Sequence, residues 1–529
     1  MPTYQAVRRK AQPRSQVAST STFVAPTKGW YVASPMAEAP EGTAYVLENA
    51  FPELFYVRAR GGSVPWATGM GANVIALAPW NSGAQYKMFA ITANGNIYDA
   101  TVSGAVLPPV VTGLSTAADA IPSFMQFNGS GTEYLIIANG YDALQNYNGA
   151  AWNTAPAITG LTGNQLSYIW PYKGRIYGIE RQSLHVWYLA LQAIGGAATL
   201  LDLSTIFKLG GNLIAGGTWQ MPTEKGDYST NVFVTDLGEI AVYTGGFPGA
   251  ADWSLQGVYQ LAPPLGKNCL LQTGSDLAVA THDGIIPMSK ATQLDRIALQ
   301  NEAATQPIQG EWRDAVLDRL QLHGWQLILW PVRDMLIVNL PHKNSADRTQ
   351  FVAHARSGAW ARYTGWDASC FGLGGPYRTV MYYGTSDGRT MVAESGGADD
   401  GKPYTVTIWP SFSSLGGGAA RKKFTLARPR IQTEFNLSIG VTAKVDFDIS
   451  SPIPPIVSLG DVVGAQWDLA QFDVAVWPRE FREIREWIAI PALGSYVSPV
   501  VQFVLQTNSD VDIRMTATDI QFETGNVIG

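Results

Sequence analysis

Strand–turn–strand units recur along this chain at a near-constant interval, and that interval limits the folds open to it. Paired apolar runs flank a turn at Tyr86–Ala93 and Ile97–Thr101, at Tyr134–Ala138 and Leu144–Tyr147, and at Gly174–Glu180 and Leu184–Leu189. The pattern repeats at Asn231–Thr235 and Glu239–Thr244, at Leu277–Thr281 and Ile285–Met288, at Met335–Leu340 and Gln350–Ala355, and at Thr379–Gly384 and Arg389–Ala393. The turns between them are built from Gly, Asn, Asp and Ser, which adopt the left-handed or tight conformations a hairpin needs. They centre near residues 95, 141, 182, 238, 284, 345 and 387, a mean spacing of about 49 residues. That period is close to the length of a β-propeller blade, a four-stranded antiparallel sheet packed radially around an axis. Each hairpin supplies two strands of a blade, and the weaker segments between hairpins supply the rest.

The reading is therefore mainly β: a β-propeller of six or seven blades over residues 43–400, with a second, sandwich-like β domain at 401–529 and an N-terminal arm at 1–42. One segment breaks the β texture. Ile308, Trp312, Ala315, Val316 and Leu320 recur at helical spacing behind Pro307, which predicts a short helical insertion over 308–321 with Trp312 on its buried face. Past residue 400 strands continue without the blade period, and Ser411–Ala420 is a Ser/Gly-rich linker. Trp467, Phe472 and Trp477 fall in a long stretch between those strands.

Composition narrows the function classes. Only 15% of residues are charged, against roughly 25% in ordinary soluble proteins. The net charge of −6 argues against a dedicated nucleic-acid binder, whose footprint is basic. No window carries the ~18 apolar residues of a membrane-spanning helix. Arg8, Arg9, Lys10 and Arg14 cluster in an arm whose first acid is Glu38, with no apolar stretch behind them, so no secretory signal is expected. Residues 1–28 read as a disordered, solvated arm; the functional alternative is a tail that orders against an acidic partner. Two cysteines, Cys269 and Cys370, cannot make a disulfide framework or a zinc knuckle.

Catalytic patterns are weak. The five histidines form no metal-ligand spacing, and no metal or other cofactor is expected. His185, between Leu184 and Val186, reads as a sheet histidine. Gly384-Thr385-Ser386-Asp387-Gly388 matches the hydrolase elbow formally, but a strand follows where the elbow requires a helix. A hairpin turn accounts for it better. The abundant aromatics, 17 Trp, 22 Tyr and 19 Phe, fill the wedges between blades or form a sugar-stacking surface.

The segment Ala44-Tyr45-Val46-Leu47-Glu48-Asn49-Ala50-Phe51-Pro52, then Arg58, then Ala67-Thr68-Gly69, resembles the opening of a family of phage virion proteins. The hairpin Met88-Phe89-Ala90-Ile91-Thr92 with Ile97-Tyr98-Asp99-Ala100-Thr101 is similar to that family's next segment. Phe233–Gly245, Trp253-Ser254-Leu255, Ser357-Gly358-Ala359-Trp360 and Phe522-Glu523-Thr524-Gly525 agree with its later turns and aromatics. The family is the tail nozzle, or tail tubular protein, of short-tailed (podovirus) phages. The resemblance implies a non-enzymatic structural protein of the phage tail, made in the bacterial cytoplasm. A homo-hexameric ring would extend the DNA channel below the portal and adaptor (connector) proteins, retain the genome and carry tail fibres or spikes. This chain is shorter than typical nozzles, which bears on any fibre-docking platform.

A conduit should let double-stranded DNA slide without sequence-specific binding. Six chains of charge −6 give a ring of −36, and phosphates are repelled by an acidic wall. Channel acids are expected on loops, because an unpaired carboxylate is costly to bury. Asp399 and Asp400, in the Gly-rich connection between domains, and Asp236 and Glu239, at a blade tip, are the candidates. Arg8, Arg9, Lys10 and Arg14 are the candidates for docking the adaptor. The alternative is a tail or cell-surface propeller that binds receptor glycans. A propeller glycosidase would need paired carboxylates, and no such pair is recognisable.

Overall fold

A computed structural model describes residues 18–524, apart from residues 84, 154–157, 162–164, 224–225, 345–346, 418–419, 435–436 and 454–481. Among the described residues the protein comprises a seven-bladed β-propeller from the middle of the chain and a β-sandwich that joins strands from its N-terminal and C-terminal parts. Trp467, Phe472, Trp477 and the four basic residues of the arm lie outside the described residues.

Each predicted hairpin forms the middle of one blade. Blade 1 is Val74–Ser82, Gln85–Thr92 and Ile97–Asp99. Blade 2 is Ser123–Gly129, Thr132–Ala138, Gln145–Tyr147 and Trp152–Asn153. Blade 3 is Leu166–Tyr172, Arg175–Glu180, His185–Tyr188 and Thr199–Asp202. Blade 4 is Leu213–Thr223, Gly226–Thr235, Glu239–Thr244 and Ser254–Gln260. Blade 5 has three strands, Leu270–Thr273, Asp276–Thr281 and Gly284–Pro287. Blade 6 is Gln326–Trp330, Met335–Asn339, Thr349–His354 and Trp360–Thr364. Blade 7 is Cys370–Gly374, Val380–Gly384 and Thr390–Ala393, completed by Ser63–Thr68 from near the start of the chain.

The first strand of each blade faces the axis and packs on its neighbours, and the ring closes where Cys370–Gly374 meets Val74–Ser82. Closure is sealed by the antiparallel pairing of Ser63–Thr68 with Thr390–Ala393, so the blade 7 edge is covered by chain from the other end. Aromatic wedges fill the gaps between blades. Trp170 of blade 3 lies edge-on to Phe233 of blade 4, with ring centroids 5.8 Å apart, and its Nε1 donates to Asn231 Oδ1 at 2.8 Å. Gly216 makes room for it: a Cβ there would sit 2.5 Å from the Trp170 ring.

The helical insertion follows blade 5. It comprises α1 (Met288–Ala291), α2 (Arg296–Asn301) and α3 (Gln309–Asp318). Asp295 caps α2 through Ala298 N. On α3, Trp312, Ala315 and Val316 are buried, and Trp312 Nε1 donates to Thr281 O of blade 5 at 3.1 Å.

The domain boundaries differ from the sequence reading. Ser19–Val24 is a strand on Ile513–Thr524, Ala44–Glu48 pairs with Tyr404–Pro410, and Val57–Ala59 lies against Ile513–Thr524. Residues 19–59 therefore belong with the sandwich. The reason is physical: each of those strands needs an edge to pair with, and the C-terminal strands offer the edges. The second sheet of the sandwich is continuous with blade 6 through the parallel contact of Glu48 with Arg362. Phe424, Ile490, Val497, Ile520 and Phe522 fill the space between the two sheets.

Candidate functional site

The segment Val57-Arg58-Ala59-Arg60-Gly61-Gly62 carries the chain from the sandwich into blade 7, and it brings two guanidinium groups into the interior. Arg60 is fully buried and all five of its N–H groups are used. Nε donates to Asn49 Oδ1 at 2.8 Å. One terminal nitrogen donates to Gly61 O at 2.9 Å and Asp399 Oδ1 at 2.8 Å. The other donates to Thr364 O at 2.8 Å and Asp399 Oδ2 at 2.5 Å. The ring of Tyr404 lies 3.8 Å from the guanidinium carbon and Trp366 5.1 Å. Burial alone would lower the Arg60 pKa; Asp399 more than reverses this, so it stands above its ordinary value.

Arg58 is held similarly, by Glu394 at 2.6 Å and Glu53 at 3.0 Å, over the ring of Phe51. Asn49 is the knot of the assembly. Its amide donates to Thr364 Oγ1 and Thr405 O, and its carbonyl accepts from Arg60 and from Thr364 N. Glu48 pairs with Arg362 at 2.7 Å. Glu48, Asn49, Arg58 and Arg60 thus stitch blade 6, blade 7 and the sandwich together. Above this hub opens a charged cleft of about 410 Å³, lined by Glu48, Arg348, Asp367, Asp387, Arg389 and Lys402 among others.

The candidate channel acids fare differently from one another. Asp399 is 8% exposed and neutralised by Arg60, so it is a structural counter-ion and not a solvated loop acid. Glu239 is 4% exposed and accepts from the backbone N–H groups of Lys208 and Leu209. It fastens the loop between blades 3 and 4. Asp236 is half-buried and accepts from Asn212 N at 2.8 Å. Asp400 is likewise half-buried and pairs with Arg389 at 2.8 Å. The structure does not bring the two pairs together: Asp236 and Glu239 belong to blade 4, and Asp399 and Asp400 to the connection that follows blade 7. The correction for Asp399 and Glu239 has one cause. A carboxylate next to an orphan N–H or a buried guanidinium is drawn inward, whether at a strand end (Glu239) or in a loop (Asp399), and the neighbours that do this are distant in sequence.

The other motifs resolve locally. Ser386 lies in the hairpin turn of blade 7, and its hydroxyl donates to Asp367 Oδ2 at 2.7 Å. His342 Nδ1 is 3.7 Å from the other oxygen of that carboxylate. The carboxylate stands between hydroxyl and imidazole, the reverse of the order that activates a serine. His185 Nδ1 meets Glu180 Oε2 at 3.0 Å within blade 3. Among the described residues no group of His, Cys, Asp or Glu is arranged to hold a metal ion.

Little open space is left on the propeller's axis. Inner strands of blades 1, 2, 3, 5, 6 and 7 surround a cavity of only about 150 Å³. The connection between blades 1 and 2 crosses its mouth. Asp119 on that connection accepts from the Tyr141 hydroxyl of blade 2 and from Arg181 of blade 3 at 3.3 Å. Its carbonyl accepts from Lys267 Nζ, at the entry to blade 5, at 3.2 Å. Arg181 also stacks over the Tyr141 ring at 4.0 Å. Burial pushes the Lys267 pKa down to about 8. Sequence reading missed Arg60, Asn49 as a knot, and Lys267. The one available signal was the alternation of arginine with small residues at 57–62, which fits charges held inside.

Fold and site together define a seven-bladed β-propeller joined to a β-sandwich by buried ion pairs. No known protein family's sequence pattern matches the chain, and no curated protein does. Among solved structures, the chain is similar to Saccharomyces cerevisiae Sqt1 at 10% identity and a TM-score of 0.38, covering 63% of this chain and 98% of that one. It is also similar to BBS1N, solved in complex with ARL6DN, at 11% identity and a TM-score of 0.29, covering 44% of this chain and 74% of that one.

Proposed function

We propose that this chain is a structural virion protein of a short-tailed phage, the tail nozzle. In this reading six copies form a ring that extends the DNA channel below the portal and adaptor, retains the genome and carries fibres or spikes. The protein is made in the host cytoplasm and acts in the virion. One observation supports the reading: Asn49 and Arg58, two residues of the resemblance, are built into the internal stitching of a rigid body, Asn49 through Thr405 O and Arg60, and Arg58 through Glu394. A tail component under the pressure of packaged DNA needs such rigidity.

In this reading the propeller's own axis is not the route of the DNA. A cavity of about 150 Å³ crossed by the Asp119–Lys267 contact has no room for a duplex whose major groove alone is about 12 Å wide. The proposed conduit runs between copies, around the ring axis. Asp400 and Asp236, the more open of the candidate acids, remain the nominees for its wall. The basic arm, with Arg8, Arg9, Lys10 and Arg14, is proposed to dock on an acidic face of the adaptor. No helix among the described residues is long and apolar enough to cross a membrane.

Native mass spectrometry of the purified chain tests the proposal. A hexamer is expected. A monomer at all concentrations, together with a monomer in virions, overturns it. Deleting residues 1–17 should leave the ring intact and weaken its attachment to the adaptor.

A further inference from the structure

Beside the strap that crosses the tunnel mouth lies a second cavity, of about 360 Å³, which the nozzle reading does not use. It is walled by blades 1, 6 and 7 and by the strap itself. Asn73, Thr116, His323, Asn339, His342 and Ser386 supply its polar groups. No carboxylate, ammonium or guanidinium lines it, in contrast to the charged cleft over Arg60. Ile75, Ile121 and Leu340 give it an apolar side. Two polar atoms of its lining residues, Asn73 Oδ1 and His342 Nε2, are buried without a hydrogen-bond partner.

Those features select a ligand class. The size falls in the range of small-ligand sites, about 300–1,000 Å³. A charged ligand finds no counter-ion there and would lose its hydration without return. An apolar ligand would leave the buried amide oxygen and imidazole nitrogen unsatisfied. A ring with several hydroxyls on its edge and C–H groups on its face meets both needs, because each hydroxyl donates and accepts. Burial lowers the His342 pKa, which favours the neutral imidazole; its Nδ1 faces Asp367 and its Nε2 has no partner. We propose that this pocket at the propeller mouth binds a neutral saccharide. The proposal stands apart from ring assembly and adds a recognition site to a chain otherwise read as scaffold.

Saturation-transfer-difference NMR on the full chain tests it with the methyl glycosides of glucose, galactose, N-acetylglucosamine, rhamnose and xylose. At least one glycoside should receive saturation from the protein. Asn73→Ala should weaken its binding about three- to tenfold, the loss of one neutral hydrogen bond. Ala93→Phe, at an exposed hairpin position on the rim, should abolish it with thermal unfolding unchanged. Should Ala93→Phe fail to fold, Thr116→Trp, on the exposed strap, fills the same space and decides the question. The proposal is overturned if none of the five glycosides binds, if binding survives the filling variant, or if inorganic phosphate competes with the sugar.

Discussion

Replacing Asp399 by asparagine removes one negative charge from beside a guanidinium that is 0% exposed. Arg60 keeps its charge, since its pKa stands above the ordinary value. Of its five N–H groups, two are directed at the Asp399 oxygens, at 2.8 and 2.5 Å. In the variant one of these faces an amide NH₂, a donor against a donor, and the guanidinium is left without its only carboxylate partner. Breaking a buried pair from one side costs about 3–5 kcal/mol. The neighbouring Asp400 is the internal control. It also pairs with an arginine, Arg389 at 2.8 Å, but the side chains are 28% and 32% exposed. Such a pair contributes at most about 1 kcal/mol. Urea unfolding followed by tryptophan fluorescence measures both, with Trp366, 5.1 Å from the Arg60 guanidinium, reporting on the hub itself. The expected result is a large drop in the midpoint for Asp399→Asn at unchanged slope and little change for Asp400→Asn. Equal and small costs at the two positions would refute the claim that Arg60 and Asp399 lock the propeller to the sandwich.

Three further outcomes are expected. Trp312→Ala should cost about 3–5 kcal/mol, because the indole is fully buried and bonded to Thr281 O; differential scanning calorimetry checks it. Gly62→Ala should prevent Ser63–Thr68 from docking, since a Cβ there would lie 2.1 Å from Ala398 O, a backbone atom with no freedom to move; opened chains would be cut early in limited proteolysis. The Lys267 pKa falls from 10.5 to about 8 in the folded protein. Between those values the unfolded chain holds the proton and the folded chain does not, so this group makes stability rise with pH across that window. Lys267→Met should abolish that rise and be more stable than the parent below pH 8, as read from melting temperatures at pH 7 and pH 10.

The sequence disclosed the propeller through one strand pair per blade. Those pairs are the middle strands, which alternate cleanly and are joined by tight turns such as His282-Asp283-Gly284. The inner strands were less legible. Ser123–Gly129 alternates with Gln126 and Asn128, and Cys370–Gly374 is short and carries two glycines, because strands near the axis pack closely on their neighbours. α3 was legible because Trp312, Ala315 and Val316 keep helical spacing. The sandwich boundaries were not, because its strands come from both ends of the chain and nothing local in Ala44–Glu48 indicates that its partner is Tyr404–Pro410. The same reason hid the site. Asp399 looked like a solvated acid in a Gly-rich loop, and its partner Arg60 is 339 residues away.

Electron cryomicroscopy of the assembled protein with duplex DNA tests the central claim most directly. The account predicts six copies around a shared axial channel at least about 20 Å across, wide enough for the duplex and its grooves, with every propeller tunnel still crossed by the Asp119–Lys267 strap. A monomer, or a ring whose axis is closed, would contradict it.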